Sequence, residues 1–174
     1  MSIVTKKGDQ GKTSLLYGDV VSKDSPRIEL NGALDELSSF LGMSKCLIKD
    51  KFTKKCLEQI QKDLMAVSAE VATPVRFIKR LKKKISVREI KRLEKDIEAL
   101  EAKRVVKVLC FSLAGKNLVS SCLDVSRTIC RRAERRGASL AKKKSLKNSS
   151  LLTYLNRLSD LLYLLARRCE NKPL

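Results

Sequence analysis

Apolar residues recur at helical spacing in successive stretches of this chain. Leu30, Leu34, Leu37 and Leu41 follow at intervals of four, three and four, the period of one buried helix face. Ser25-Pro26 marks the start of that helix, since serine can cap free backbone N–H groups and proline at the first helical position loses no hydrogen bond. A second helix is predicted over about 53–72, with Leu57, Ile60, Leu64, Val67 and Val71 on one face and Pro74 limiting its end. A third opens at Ser86, where Ser86-Val87-Arg88-Glu89 matches the reciprocal capping box, and carries Ile90, Leu93, Ile97 and Leu100. Residues 105–113 form a short apolar run that fits an extended segment. A fourth helix is predicted over about 117–142. A fifth begins after Asn148-Ser149 and carries Leu151, Leu155, Leu158, Leu162 and Leu165. Five such helices with short connections predict an all-α bundle.

The first 25 residues break this pattern. Gly8, Gly11 and Gly18 stand among Thr, Ser, Asp and Lys, which reads as an ordered, glycine-punctuated N-terminal arm. With 174 residues and no internal repeat, the chain is read as one domain, an arm over 1–25 and a bundle over 26–172.

Composition narrows the chemistry. The chain has no histidine, which removes the commonest metal ligand and the commonest general base. Its six cysteines, Cys46, Cys56, Cys110, Cys122, Cys130 and Cys169, form no C-x-x-C pair. Cys122 and Cys130 lie among apolar neighbours and read as buried free thiols. No apolar run of about 18 residues and no signal peptide is present, so a cytoplasmic protein with reduced cysteines is expected. The net charge is +19, from 38 Lys and Arg against 19 Asp and Glu. Much of it falls in 79–84 and 142–147, between predicted helices, where a solvated loop is the simple explanation. With 4% aromatic residues, an interleaved base-stacking platform is disfavoured.

Four segments could carry chemistry. The arm TKKGDQGKTSL at 5–15 places glycines where backbone N–H groups can turn toward an anion, beside Lys and Thr donors. It is not a P-loop: Lys6 stands where the first glycine should be, and no strand precedes it. A flexible basic N-terminus explains this segment equally well. In RTICRRAERR at 127–136, Arg127, Arg131 and Arg135 share one helix face, with Glu134 at its border. Neighbouring guanidiniums repel unless an anion or carboxylates compensate, and the planar fork of arginine suits phosphate. A nucleotide, nucleic-acid phosphate and a solvated face all satisfy that pattern. On the fifth helix, YLNRLSDLLYLLAR at 154–167, Asn156 and Asp160 stand one turn apart beside a leucine-rich surface. Asp35-Glu36 is a carboxylate pair within the first helix, a position that is ordinarily solvated.

Taken together, the arm, SKDSPRIELNGALDELSSFLG at 22–42, RTICRRAERR and YLNRLSDLLYLLAR resemble the ATP:cob(I)alamin adenosyltransferases of the propanediol-utilisation type in order and spacing, over nearly the whole chain. The resemblance implies a five-helix bundle assembled as a homotrimer, with sites between subunits. It implies transfer of the 5′-deoxyadenosyl group of ATP to the cobalt of cob(I)alamin, releasing triphosphate. ATP contacts would fall on Thr5, Lys6, Lys7, Gly8, Thr13, Ser14 and Lys23, then on Arg131, Arg132, Glu134, Arg135 and Asn156. Arg127 would pair with Asp35 across a subunit boundary near the corrin, and Phe111 would lie against the corrin and help exclude its lower axial ligand. Mg2+ would ride on the phosphates, with Glu134 an indirect partner. A corrinoid reductase or an adenosylcobalamin-dependent mutase is the kind of further partner implied. Cob(I)alamin is already a strong nucleophile, so the missing histidine is no obstacle; positioning and preorganised positive charge would do the work. Two departures stand out: Lys7 where the family arm commonly has a second threonine, and SLAGK at 112–116, with Lys116, where a Pro-Gly-Gly turn is more usual. A nucleotide-binding regulatory bundle without transfer activity is the second reading, and a basic nucleic-acid-binding helical protein the third.

Overall fold

The computed structural model describes residues 4, 6, 8–103 and 113–170. Among them, five α-helices form the body: α1 Pro26–Leu47, α2 Lys51–Val71, α3 Val87–Glu101, α4 Leu118–Lys142 and α5 Ser149–Glu170. A short 3-10 helix, Val75–Arg80, fills the connection after α2. The packing order across the bundle is α2, α1, α4, α5, α3, so α4 and α5 are the inner pair. Their leucines dominate the core: Leu123, Leu151, Leu155, Leu158, Leu161, Leu162 and Leu165 have no solvent exposure.

Local chemistry sets the helix ends. Ser86 and Glu89 make the capping box that the sequence predicts, with both reciprocal bonds present. Asn117 and Ser120 make a second one at the start of α4. α2 starts two residues earlier than expected because the Asp50 carboxylate accepts from the backbone N–H of Thr53 at 3.0 Å and from its hydroxyl at 2.6 Å. At α1, Pro26 takes the first turn as expected, but Ser25 makes no capping bond through its side chain.

The arm departs from a purely helical reading. Within it, β1 Lys12–Ser14 and β2 Val20–Ser22 pair antiparallel, Thr13 facing Val21. Gly18, at φ 98°, turns the chain between them, a backbone state that side chains with a Cβ rarely adopt. The hairpin is fastened to one end of the bundle. Leu15 is buried, the Leu16 N–H donates to the Ala72 carbonyl at 3.0 Å, Asp19 pairs with Arg76, and Tyr17 packs on Phe77 with ring centroids 5.5 Å apart. Arg27 then ties that end together by donating to the Val71, Thr73 and Ser145 carbonyls. The two basic stretches lie here, 79–84 overlapping the last residues of the 3-10 helix and 142–147 starting at the last residue of α4.

Two buried acids lock α2 in place. Asp63 is fully buried and accepts from Arg92 of α3, from the Tyr154 hydroxyl of α5 at 3.0 Å and from Gln59 at 3.2 Å. Glu70 accepts from the Ile85 N–H at 2.5 Å and the Asn148 amide at 2.8 Å, fixing the loops before α3 and α5.

Candidate functional site

α4 shows how the sequence turns its arginines. Ala133 and Gly137 face the core, and a Cβ at Gly137 would come within 2.9 Å of the Leu152 side chain, so α4 and α5 approach closely there. Arg132 pairs with Glu36 and Arg136 with Glu29 at 2.7 Å, both on α1. Those pairs fix the rotation of α4. Arg131 and Arg135 are thereby left exposed on the outer side, and Arg127 half-buried one turn before Arg131.

Arg127 and Arg131 line a cleft of about 730 Å³ between α3, α4 and α5. One wall is acidic, with Glu94, Glu98 and Glu101 of α3 at helical spacing. The opposite wall is basic, with Arg127 and Arg131 of α4 and Arg157 of α5. Ile97, Tyr163 and Leu164 supply apolar surface between them. Arg157 is the residue that sequence reasoning missed: it donates to Glu94 at 3.3 Å and to the Asn156 side-chain oxygen at 2.8 Å, and lies 3.8 Å from Asp160. Its place inside YLNRLSDLL, three residues before Asp160, was the available signal.

The structure joins Asn156 to Glu134: the Asn156 amide donates to the Glu134 carboxylate at 3.0 Å. This bond crosses from α5 to α4 and aligns both polar groups beside the arginine stripe. Burial raises the Asp160 carboxyl above the usual range, with Glu134 and Glu101 adding to the rise and Arg157 and Arg131 opposing it. Cys130, beneath this surface, donates its thiol to the Leu155 carbonyl at 3.3 Å and is a buried free thiol as expected, like Cys122.

In the arm, Lys6 and Gly11 take positive φ, and the Gly11 N–H donates to the Gly8 carbonyl at 3.3 Å. The Lys23 side chain folds over Gly8 so closely that a Cβ there would sit 2.9 Å from its Nζ. Thr13 and Ser14 lie on β1, so Gly8, Lys23 and the β1 hydroxyls belong to one small substructure. Thr5, Lys7 and Phe111 lie outside the described residues. Asp35 is exposed on α1, in a shallow groove with Asn31, Ser38, Met65 and Ser68. One chain does not bring it to Arg127, whose nearest acid is Asp124 at 3.8 Å. Among the described residues no group of three or more His, Cys, Asp or Glu could hold a metal ion.

The family model of cobalamin adenosyltransferase matches residues 3–169. The chain belongs to the cobalamin adenosyltransferase family. It is 42% identical over 167 residues to corrinoid adenosyltransferase PduO of Salmonella typhimurium, covering 96% of this chain and 49% of that protein. It thus spans about half the length of that relative, and likewise 49% of PduO from Citrobacter freundii. A shorter corrinoid adenosyltransferase of Citrobacter freundii is 36% identical, with 98% of this chain and 96% of that protein covered. Among solved structures, a variant PduO-type ATP:corrinoid adenosyltransferase from Lactobacillus reuteri, complexed with cobalamin and ATP, is similar at a TM-score of 0.86 and 33% identity, covering 97% of this chain and 93% of that one. The cobalamin adenosyltransferase fold therefore accounts for the helices and the arm together.

Proposed function

We propose that this chain transfers the 5′-deoxyadenosyl group of ATP to the cobalt of a reduced corrinoid. The observation that carries the reading is the cleft between α3, α4 and α5, with Arg127 and Arg131 on one wall, in a chain so similar in fold to a protein complexed with both substrates. In the step, the cobalt(I) electron pair forms the bond to the 5′-carbon, and the carbon–oxygen bond breaks with its electrons leaving on triphosphate. No proton has to be removed from the nucleophile, which suits a chain without histidine. Arg131 and Arg135, exposed and unshielded by α1, meet the growing charge on the leaving triphosphate. Arg132 joins them by exchanging Glu36 for phosphate. The Glu134–Asn156 pair orients the nucleotide, and the arm, through Thr5, Lys6, Lys7, Gly8, Thr13, Ser14 and Lys23, closes over it.

Mg2+ would accompany the phosphates, taking its ligands mainly from phosphate and water, with Glu134 an indirect partner between Arg131 and Arg135. The arm is fastened at the end of the bundle where α2 and α4 finish, and the site is proposed to be shared between two chains, the arm from one and the outward arginines from the other. A homotrimer meets this need, with Asp35 of one subunit reaching Arg127 of the next and Phe111 against the corrin. Met65, 74% exposed beside Asp35, is the kind of apolar group such an interface covers. No described helix is long and apolar enough to cross a membrane, and the protein is proposed to work in the cytoplasm. The test is incubation with ATP, Mg2+ and chemically reduced cobalamin. Adenosylcobalamin in the product supports the assignment, and its absence from a folded, ATP-binding protein leaves a regulatory nucleotide-binding bundle.

A further inference from the structure

Asp124 sits on α4 one turn before Arg127, and its side chain is 10% exposed. Its Oδ2 accepts from Arg167 of α5, which is 5% exposed. Its Oδ1 faces the Nε of Arg127 at 3.8 Å. Arg167 is itself fixed from the other side by Glu170 at 3.0 Å, and its guanidinium lies over the Tyr163 ring, 5.1 Å from the centroid. Glu170, 3% exposed, also takes Lys116 at 3.1 Å. The result is a ladder of alternating charge, Lys116, Glu170, Arg167, Asp124 and Arg127, whose last rung lines the cleft. A buried carboxylate held this firmly cannot follow a moving partner; the half-buried Arg127 has to adjust to it instead.

We propose that Asp124 is a positioning residue, which sets the direction of the Arg127 guanidinium in the cleft while Arg167, its direct partner, holds Asp124 in place. This rests on the adenosyl-transfer reading of the cleft. It also gives Lys116 a role: it neutralises Glu170 and closes the ladder at its outer end, where a glycine would leave that carboxylate with Arg167 alone.

The discriminating substitution is Asp124→Asn, which keeps size and removes charge. We expect the KM for reduced corrinoid to rise about five- to tenfold as Arg127 loses its ion-pair partner, with the KM for ATP changed less than about twofold. Glu170→Gln is the structural control. It weakens the hold on Arg167 without touching Arg127, and should lower Tm while leaving the corrinoid KM within about twofold. In an Arg127→Ala background, Asp124→Asn should add nothing to the corrinoid KM, since its partner is already gone. A further rise in that background, or an equal rise in Glu170→Gln, overturns the proposal. A separate readout covers failure of the parent reading. Side-chain motion of Arg127, read from nitrogen relaxation of its Nε–H by NMR on the unliganded protein, should increase in Asp124→Asn. If wild type makes no adenosylcobalamin but this motion does increase, the reaction assignment has failed and the positioning contact stands. If it does not increase, Asp124 does not hold Arg127.

Discussion

Removing one oxygen atom tests the polar hub that joins α2, α3 and α5. In Tyr154→Phe, the lost hydroxyl is the one that donates to Asp63 at 3.0 Å, between two side chains with no solvent exposure. A hydrogen bond to a charged group contributes about 1.5–3 kcal/mol. Here Asp63 keeps Arg92 on the same oxygen and Gln59 on the other, so no acceptor is orphaned and the lower end applies. The expected loss is about 1.5–2 kcal/mol, which for a chain of this size lowers Tm by about 3–8 °C. Denaturant melts at fixed protein concentration should show the shift with an unchanged slope. The pH dependence adds a second signature. Burial, reinforced by the charge of Asp63, raises the Tyr154 phenol well above 10.0. A folded-state pKa above the unfolded value gives stability that is complete below pH 10 and lost as pH climbs from there toward the folded pKa. The gap between wild type and Tyr154→Phe should therefore narrow above pH 10. An unchanged Tm, or a gap that widens in alkali, refutes the reasoning.

Other outcomes follow from the site. Arg131→Ala should lose most transfer activity with the assembly intact by size-exclusion chromatography; an unaffected rate removes that face of α4 from the chemistry. Mixing inactive Arg131→Ala chains with chains inactivated by Lys23→Ala, then refolding them together, should restore part of the activity if arm and helix come from different subunits, and none if each chain completes its own site. Burial and the neighbouring Asp96 carboxylate push the Cys56 thiol up to about 12, and burial raises Cys130 further still, whereas Cys46 is exposed. Thiol alkylation read by mass spectrometry at pH 8 should accordingly modify Cys46 first and spare Cys56 and Cys130 until the chain unfolds.

Much of the fold is written locally and can be read that way. The period of Leu30, Leu34, Leu37 and Leu41 places α1, and Ser86 with Glu89 places the start of α3, because caps and stripes depend on neighbours in sequence. The hairpin escaped notice because its strands are three residues each, too short for an alternation to register. Asp63 and Glu70 stand at core spacing, three after Ile60 and three after Val67, so their burial was legible; their partners, Arg92, Tyr154 and Asn148, come from distant helices and loops and were not. The same limit applies to the site. Spacing puts Arg127, Arg131 and Arg135 on one side of a helix, yet only the α1 carboxylates Glu29 and Glu36 show which arginines are engaged and which face out. Asp124 looks like one more acid near arginines until Arg167 is seen across from it.

The decisive measurement is the stoichiometry of the reaction with wild-type protein, ATP, Mg2+ and chemically reduced cobalamin. One triphosphate released for each adenosylcobalamin formed is the expected result, since bond formation at the 5′-carbon and departure of triphosphate are one event. Release of phosphate or diphosphate without adenosylated cobalamin would contradict it.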